Sequence, residues 1–376
     1  MSGIYSELNK ERKIFFEDFG DRFDSEERGF QVDAQYLFRT SNFNLVTGVG
    51  VYKTDVERSA PTFGGDSFTR DQYTAYIYGN IRWPKNLIWT IGGSYDSFEQ
   101  FDTNVVDDVH PKLGLQWNLT DDLRLRLAYI ETVKRALLVD QTIEPTQVAA
   151  FNQFFDDQQG TRAKRYGIGI DARFAQTVYG GLEASNRDLV VPLNFFNSDE
   201  IFEDEWREQF YRAYLYWTPF REWVATAEFR WERFKIEEEA ISFVNRPTRV
   251  DTRTVPFTLS YFNPGGFFAR FGMAYVRQQI DERAFDFSRF EAVEFDDTEN
   301  FVVLNAAIGY RLPKRWGIVT LGATNLLDEE FKFQDDSFRT LTAANVDGTT
   351  RAIPGLRSNV NFLPDRMLFA AITLSF

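Results

Sequence analysis

Apolar and polar residues alternate along most of the chain. In the last segment, Leu368, Ala370, Ile372 and Leu374 occupy every second position, with small or polar residues between them. The same period of two recurs in the segments FQVDAQYLF, YTAYIYGNIRW, LRLRLAY, YGIGIDARF and FVVLNAAIGY. Successive side chains of a β-strand point to opposite faces, so the pattern predicts strands with one apolar and one polar face.

Short and long connections separate these predicted strands in turn. The long connections are polar and acidic, whereas the short ones consist of turn-forming residues: RTSN, WPKN, NLTDD, FAQT, TPFRE, NPGG and LPKR. Seven short and eight long connections predict about sixteen antiparallel strands, an even number, with both termini on the short-turn side.

Aromatic residues of the apolar faces concentrate near the short turns. Trp83 and Trp89 flank WPKN, and Trp217 and Trp223 flank TPFRE, while aliphatic and small residues fill the middle of the strands. Amphipathic rings prefer the boundary between lipid headgroups and hydrocarbon. The pattern therefore predicts an all-β fold, a transmembrane antiparallel up-and-down β-barrel with short periplasmic turns and long extracellular loops. The alternative is a soluble β-sandwich or propeller.

Composition narrows the class of protein further. The 376 residues have a mean hydropathy of −0.37, and no run approaches the roughly 18 to 20 apolar residues of a spanning helix. Cysteine is absent, which excludes disulfides and thiolate metal sites, and the net charge of −14 argues against a nucleic-acid partner. We expect one barrel domain over residues 1–376, either freed of a signal peptide or forming the C-terminal part of a longer protein.

Two segments resemble known families. The ending MLFAAITLSF is similar to the assembly signal of bacterial outer-membrane barrels, which implies that Phe376, Leu374 and Ile372 are recognised by the barrel-assembly machinery. The segment LGATNLLDEEFKF, residues 321–333, resembles the Gly-x-x-Asn-Leu-Phe-Asp segment of TonB-dependent receptors, with Leu327 where Phe is usual. The resemblance implies a location in the outer membrane of a Gram-negative bacterium.

A region between residues 109 and 171 shows a further resemblance. Residues 109–135 and 142–171 are similar to the barrels of outer-membrane proteins that have tetratricopeptide repeats ahead of the barrel. TonB-dependent receptors have a plug domain and twenty-two strands. The pattern over residues 1–376 predicts only about sixteen strands and leaves no room for a plug domain. We therefore expect any plug or repeat module upstream. Membrane lipid and lipopolysaccharide are further expected partners, and the oligomeric state is left open.

The polar faces predict a lumen rich in arginine. A cationic wall favours anionic or polyhydroxylated solutes, although the same residues could form salt-bridge ladders that hold the register of neighbouring strands. The candidate lumen-lining residues are Arg82, Arg124, Arg126, Arg173, Arg212, Arg230, Arg270, Arg311, Glu228 and Asp171.

One long connection differs from the others because it mixes aromatic and polar residues. We predict that residues 142–157 fold into the lumen and narrow it, with Phe151, Phe154, Phe155 and Asp156 forming the constriction. The alternative is a cap on the barrel surface. The acidic runs of the other loops fit either divalent-cation binding or a solvated rim.

These observations predict a channel or receptor for the passage of a polar or anionic solute. The first alternative is a surface-interaction barrel that does not conduct. The second is a barrel hydrolase using His110, the only histidine, with Asp107 or Asp108. We favour a protein that is not an enzyme and has no catalytic residues, cofactor or metal site.

Overall fold

A computed structural model describes residues 1–16, 21–60, 64–100, 103–135, 141–194, 201–238, 246–286, 291–334 and 366–374. Eighteen strands and one short 3-10 helix, η1 (Pro313–Arg315), occupy these residues. The strands are β1 (Ser2–Phe16), β2 (Asp21–Arg39), β3 (Phe43–Ala60), β4 (Gly64–Ile81), β5 (Leu87–Gln100), β6 (Thr103–Thr120), β7 (Leu123–Val133), β8 (Gln147–Val148), β9 (Phe151–Asn152), β10 (Arg162–Ala175), β11 (Val178–Asn194), β12 (Ile201–Trp217), β13 (Trp223–Glu238), β14 (Arg246–Phe262), β15 (Phe267–Asp286), β16 (Glu291–Arg311), β17 (Gly317–Thr324) and β18 (Met367–Leu374).

All the long strands belong to one sheet of sixteen, in which sequence neighbours pair antiparallel from β1 to β18. Strands β8 and β9 form a separate hairpin between β7 and β10. The predicted strand number and up-and-down order are therefore confirmed, and all seven short turns join neighbouring strands of the sheet. No helix in the described residues is long and apolar enough to cross a bilayer.

The strands extend further into the predicted long loops than the sequence pattern indicates. Residues 279–300 read as a polar loop, yet most of them lie in β15 and β16, where pairing continues to Asp286 and Glu291. Where a strand extends beyond the membrane, both of its faces contact water. The alternation of apolar and polar residues therefore disappears there, while the backbone hydrogen bonds between strands continue. The loops are therefore shorter than expected.

Large apolar side chains cover the outer face of the sheet. On β13 the outward residues run from Trp223 to Trp231, and Leu182 of β11 is 59% exposed. Exposed apolar side chains in a continuous band indicate a lipid-facing surface, and the nine residues from Trp223 to Trp231 match the length of one strand crossing. In the final strand all eight residues are exposed, Ile372 and Leu374 at 67% and 52%, and the recognition of these two residues by the barrel-assembly machinery stays a prediction. Phe376 lies outside the described residues.

The sheet curves around an interior. Side chains of β2, β4, β10 and β11 all contact the single segment between β7 and β10, which a flat sheet could not allow. Strands β1 and β18 are at the two ends of the pairing order.

The segment that resembles TonB-dependent receptors forms a turn organised by Asn325, which is 4% exposed. Its side chain accepts a hydrogen bond from the Glu329 amide at 3.0 Å and donates one to the Glu329 carbonyl at 2.9 Å. Asn325 also has a left-handed backbone, with φ of 48°, which asparagine tolerates better than most residues. The turn directs residues 331–334 inward, where Phe331 stacks on Phe301 at 3.9 Å.

We predict that Leu182→Arg destabilises the folded barrel by about 2–4 kcal/mol, because the charge would lie near the middle of the hydrocarbon. Asn186→Arg is the matched control, since Asn186 lies on the same face at the level of Tyr166 and should cost only about 0–1 kcal/mol. Unfolding free energies in lipid vesicles measure the difference. Equal costs at the two positions would contradict a lipid-facing surface.

We predict that Asn325→Ala lowers the free energy of unfolding by about 1–2 kcal/mol, because a buried turn loses two hydrogen bonds. Asn263→Ala serves as control: Asn263 accepts a bond from the Gly265 amide at 2.7 Å but lies in an exposed turn. Denaturant titration in detergent compares the two variants. A control as costly as Asn325→Ala would show that burial of the turn is unimportant.

Candidate functional site: a segment inside the barrel

The described part of the connection between β7 and β10, residues 141–161, crosses the interior of the barrel. Gln31 of β2 donates a hydrogen bond to the Gln141 carbonyl at 2.8 Å, and Arg165 of β10 donates one to the Asn152 carbonyl at 2.6 Å. Strands β2 and β10 are six positions apart in the sheet order, so a segment bound to both spans the lumen.

The β8–β9 hairpin occupies an apolar area of the inner wall. Val148 and Phe151 are 0% and 1% exposed, which makes these two side chains as buried as the core of a soluble protein, whereas Gln147 and Asn152 are exposed. The wall residues that receive it are Val46, Tyr76, Tyr78 and Ile130. Burial of apolar side chains stabilises the inserted position by roughly 25 cal/mol per Å² removed from water.

Glycines of the inner wall make room for the hairpin. A Cβ atom at Gly167 would lie 2.6 Å from the Phe151 ring, and one at Gly114 would lie 2.8 Å from Val148. Both distances are below van der Waals contact, so a larger residue at either position would displace the hairpin. The absence of a Cβ atom at these positions therefore allows the hairpin to lie against the inner wall.

The turn of the hairpin has a strained backbone. Ala149 and Ala150 have φ values of 48° and 66°, in the left-handed region that costs an alanine on the order of 1 kcal/mol. Contacts with the wall must outweigh this cost. The hairpin conformation therefore depends on the barrel around it.

A buried charge network fixes the start of the segment. Arg135, just after β7, contacts Asp96 of β5 at 3.2 Å and forms a second ion pair with Glu144. Glu144 also accepts a hydrogen bond from the Tyr78 hydroxyl. Removing one partner of a buried ion pair leaves an uncompensated charge, which is strongly destabilising. The network therefore attaches the start of the segment to the inner wall of the barrel.

A second set of contacts fixes the end of the segment. Phe155 lies 3.7 Å from the Arg187 guanidinium and 5.1 Å from that of Arg165, measured to the ring centroid. Arg187 pairs with Asp157 of the segment and with Glu208 of β12, each at 2.5 Å. Guanidinium groups over aromatic faces are favourable, the more so when water is excluded.

The four residues predicted to form a constriction occupy different surroundings. Phe151 is buried in the wall, Phe155 lies between two arginines, and Phe154 faces Arg135 at 5.9 Å. Asp156 is 95% exposed and lies 3.6 Å from Lys134. Whether these residues limit the passage of a solute stays a prediction.

The predicted lumen-lining residues that lie in strands share the inward parity of their strands, and Arg82 lies just after β4; the residues divide into two groups. In the middle of the wall, Arg126 contacts Asp171 at 2.7 Å and Glu183 at 3.1 Å, and Arg212 and Arg230 share Glu228 at 2.8 Å. Except for Arg230 with Glu228, which lie in the same strand, these pairs match the alternative of cross-strand salt bridges. The second group lies near the short turns and is exposed: Arg82, Arg124, Arg173, Arg270 and Arg311.

The exposed arginines have few carboxylate partners among the described residues. Arg173 pairs with Asp122, whereas Arg124 donates to the Asn118 amide oxygen at 2.8 Å and Arg311 lies 5.8 Å from the Phe262 ring. The turn-side end of the lumen is therefore basic.

Several residues of the site could not be identified from the sequence. Glu144, Asp157 and Arg187 are not among the residues predicted to line or constrict the lumen, and Asp96 and Lys112 form a buried patch with His110 on the inner wall. In the sequence, these residues are marked only by their position. They occupy inward-facing positions of predicted strands, or they belong to the connection between β7 and β10, which is more apolar than the other long connections. In the described part of the chain no group of His, Cys, Asp or Glu is arranged to hold a metal ion.

Comparisons with known proteins identify the kind of barrel. A family model described as "TonB dependent receptor-like, beta-barrel" matches residues 5–160. The FrpB iron transporter of Neisseria meningitidis is similar in structure, with a TM-score of 0.61 and 12% identity over 86% of this chain and 55% of that one. The chain is an outer-membrane β-barrel whose residues 5–160 resemble the barrel of TonB-dependent receptors. Its location is the outer membrane of a Gram-negative bacterium, as predicted.

Two other solved structures resemble this receptor-like barrel. The ferripyoverdine receptor of Pseudomonas aeruginosa, bound to ferripyoverdine, has a TM-score of 0.58 and 10% identity over 88% of this chain and 50% of that chain. The FpvAI–pyocin S2 complex gives a TM-score of 0.54 with the same identity and coverage. The chain spans about half the length of these structures, and at such identities they show the fold alone. The comparison with curated proteins gives no match.

The comparisons also bear on the class of protein. The matched family and these neighbours are receptors and a transporter, not enzymes. The resemblance to barrels that follow tetratricopeptide repeats, and the expected partners of this barrel, stay predictions.

We predict that Gly167→Ala loosens the segment, because its Cβ would overlap the Phe151 ring. Since the chain has no cysteine, Val148→Cys adds a single thiol at a fully buried position. Its labelling by a membrane-impermeant thiol reagent should become several-fold faster in the Gly167→Ala background.

Gly272→Ala is the matched control for this experiment, since a Cβ there would meet its nearest neighbour at an ordinary 3.9 Å. The double variant Val148→Cys, Gly272→Ala should be labelled at the same rate as the Val148→Cys single variant. Fast labelling in the parent itself would mean that the hairpin does not occupy the wall.

Proposed function

We propose that the barrel is an outer-membrane receptor or channel for a polar or anionic solute, and that residues 141–157 close its lumen until they are displaced. The observation that supports closure is the attachment of this one segment to opposite parts of the wall, by Gln31 on β2 and Arg165 on β10. A sixteen-stranded barrel otherwise encloses a wide aqueous channel.

The solute class follows from the charge of the turn-side lumen. Exposed arginines at positions 82, 270 and 311 face a region where the described residues provide few carboxylates. A concave surface of one charge concentrates counter-ions, so anions are favoured at this end. The middle of the wall contributes little net charge because its arginines are paired with Asp171, Glu183 and Glu228.

The second candidate function is a surface-interaction barrel that does not conduct. The buried ion pairs of Arg135 and Arg187 support it, because they hold the segment firmly in place. In this case the parts of the strands that extend beyond the membrane would contact an external partner.

Planar-bilayer recordings test the proposal. The unmodified barrel should be mostly closed, and deletion of residues 142–157 should produce discrete, long-lived current steps. In the deletion background, Arg82→Glu with Arg270→Glu should lower the anion-to-cation permeability ratio several-fold, because two inward charges reverse sign.

Arg28→Glu is the control, since Arg28 lies on the outer face and pairs with Glu26. It should leave the permeability ratio unchanged. A deletion variant that folds but passes no current would overturn the channel and favour the surface-interaction barrel.

A further inference from the structure

An outward-facing group of arginines lies directly above the lipid-facing band on β13, β14 and β15. Arg233, Arg249 and Arg253 surround the single carboxylate of Asp251, at 2.9, 3.9 and 3.5 Å. Asp251 is only 5% exposed, so the arginines cover it on the outer surface. We call these four residues and Arg277 the outer arginine cluster.

The position of the cluster relative to the membrane follows from strand register. Trp231 stacks on Tyr211 at 4.9 Å and forms the aromatic boundary away from the short turns. Arg253 pairs with Trp231 across the two strands, and Arg233 is the next outward residue beyond it. The guanidiniums of Arg233 and Arg253 lie 5.0 and 5.2 Å from the Trp231 ring. The cluster is therefore at the height of lipid headgroups.

The cluster has more positive charge than its own carboxylates neutralise. Arg253 and Arg277 are directly opposite each other in the pairing of β14 with β15, an arrangement that destabilises a sheet when no anion intervenes. Arg249 has a second carboxylate, Asp281, at 3.4 Å. Four arginines against two carboxylates leave an excess of positive charge facing the lipid.

The equivalent outward positions on β2 to β7 are mainly acidic, with Arg28 and Lys53 as exceptions, and no comparable group of arginines lies among their described residues. There Lys53 pairs with Asp71, and the other outward residues beyond the aromatic level include Glu26, Glu57, Asp107 and Glu131. Outward carboxylates also lie on the side of the cluster, among them Glu237, which pairs with Arg207 and Lys235, so the distinguishing feature is the number of arginines around Asp251. The basic side matches an anionic headgroup, since arginine binds phosphate through paired N–H donors.

We propose that the outer arginine cluster binds the phosphate groups of the phosphorylated glycolipid in the outer leaflet. The Trp231 and Tyr211 rings would pack against its acyl chains just below the phosphate. This site faces the lipid rather than the lumen, so it is independent of whether the barrel conducts.

The test compares the barrel with Arg253→Gln plus Arg277→Gln, purified in detergent. The probes are bis-phosphorylated lipid A, lipid A stripped of both phosphates, and phosphatidylglycerol. Native mass spectrometry should show bis-phosphorylated lipid A bound to the unmodified barrel and bound about thirtyfold more weakly to the double variant, for two basic groups removed. Phosphate-free lipid A should not discriminate between them.

Thermal unfolding without lipid gives a readout that a merely structural role would not produce. Without an anion the double variant should be as stable as the unmodified barrel or more so, because a like-charge pair has been removed. Added bis-phosphorylated lipid A should then raise the unfolding temperature of the unmodified barrel only.

Arg28→Gln, on the acidic side, is the control and should bind lipid A as the unmodified barrel does. Equal binding of bis-phosphorylated lipid A by the double variant would overturn the proposal. So would equal stabilisation by phosphatidylglycerol, which would indicate a general preference for anionic lipid.

Discussion

Two solvents act on the two faces of one sheet, and this constraint determines most of the structure. Backbone N–H and C=O groups have no water to bond with in hydrocarbon, so every strand must pair with its neighbours along its whole crossing. The long antiparallel registers, such as Arg246 to Phe262 against Phe268 to Arg283, meet this requirement. Lipid accepts outward leucines and valines that a soluble protein would have to bury, while the inward face remains polar.

The interior of the barrel presents a different problem, because sixteen strands enclose more space than their inward side chains can fill. The segment between β7 and β10 supplies a small core of its own, with Val148 and Phe151 against Tyr78 and Ile130. Wall glycines such as Gly167 accept this core by lacking a Cβ. The barrel thus has apolar surfaces on both sides of part of its wall, one for lipid and one for its own segment.

The pairing of charged side chains also depends on whether they are buried or exposed to water. Buried arginines such as Arg126 and Arg135 are paired with carboxylates, since an isolated charge in a poorly hydrated site is too costly. Arginines near the turns and on the outer rim remain exposed, and their unmatched charge is available to solutes at one place and to lipid headgroups at the other. Both proposals, the passage of an anionic solute and the binding of lipid phosphate, rest on arginines that lack a full carboxylate partner.

The strand count, the lipid-facing residues and the seven turns could be predicted from the sequence, because a period of two and turn chemistry are local properties of the chain. The same reasoning overestimated the loops at residues 279–300, since alternation disappears once both faces are wet. It could not pair Glu144 with Arg135, Asp157 with Arg187, or Arg253 with Arg277. Those contacts join positions brought together by strand register and by the path of one segment through the lumen. The sequence by itself determined which solvent each face meets, and only the tertiary structure decided which charges meet each other.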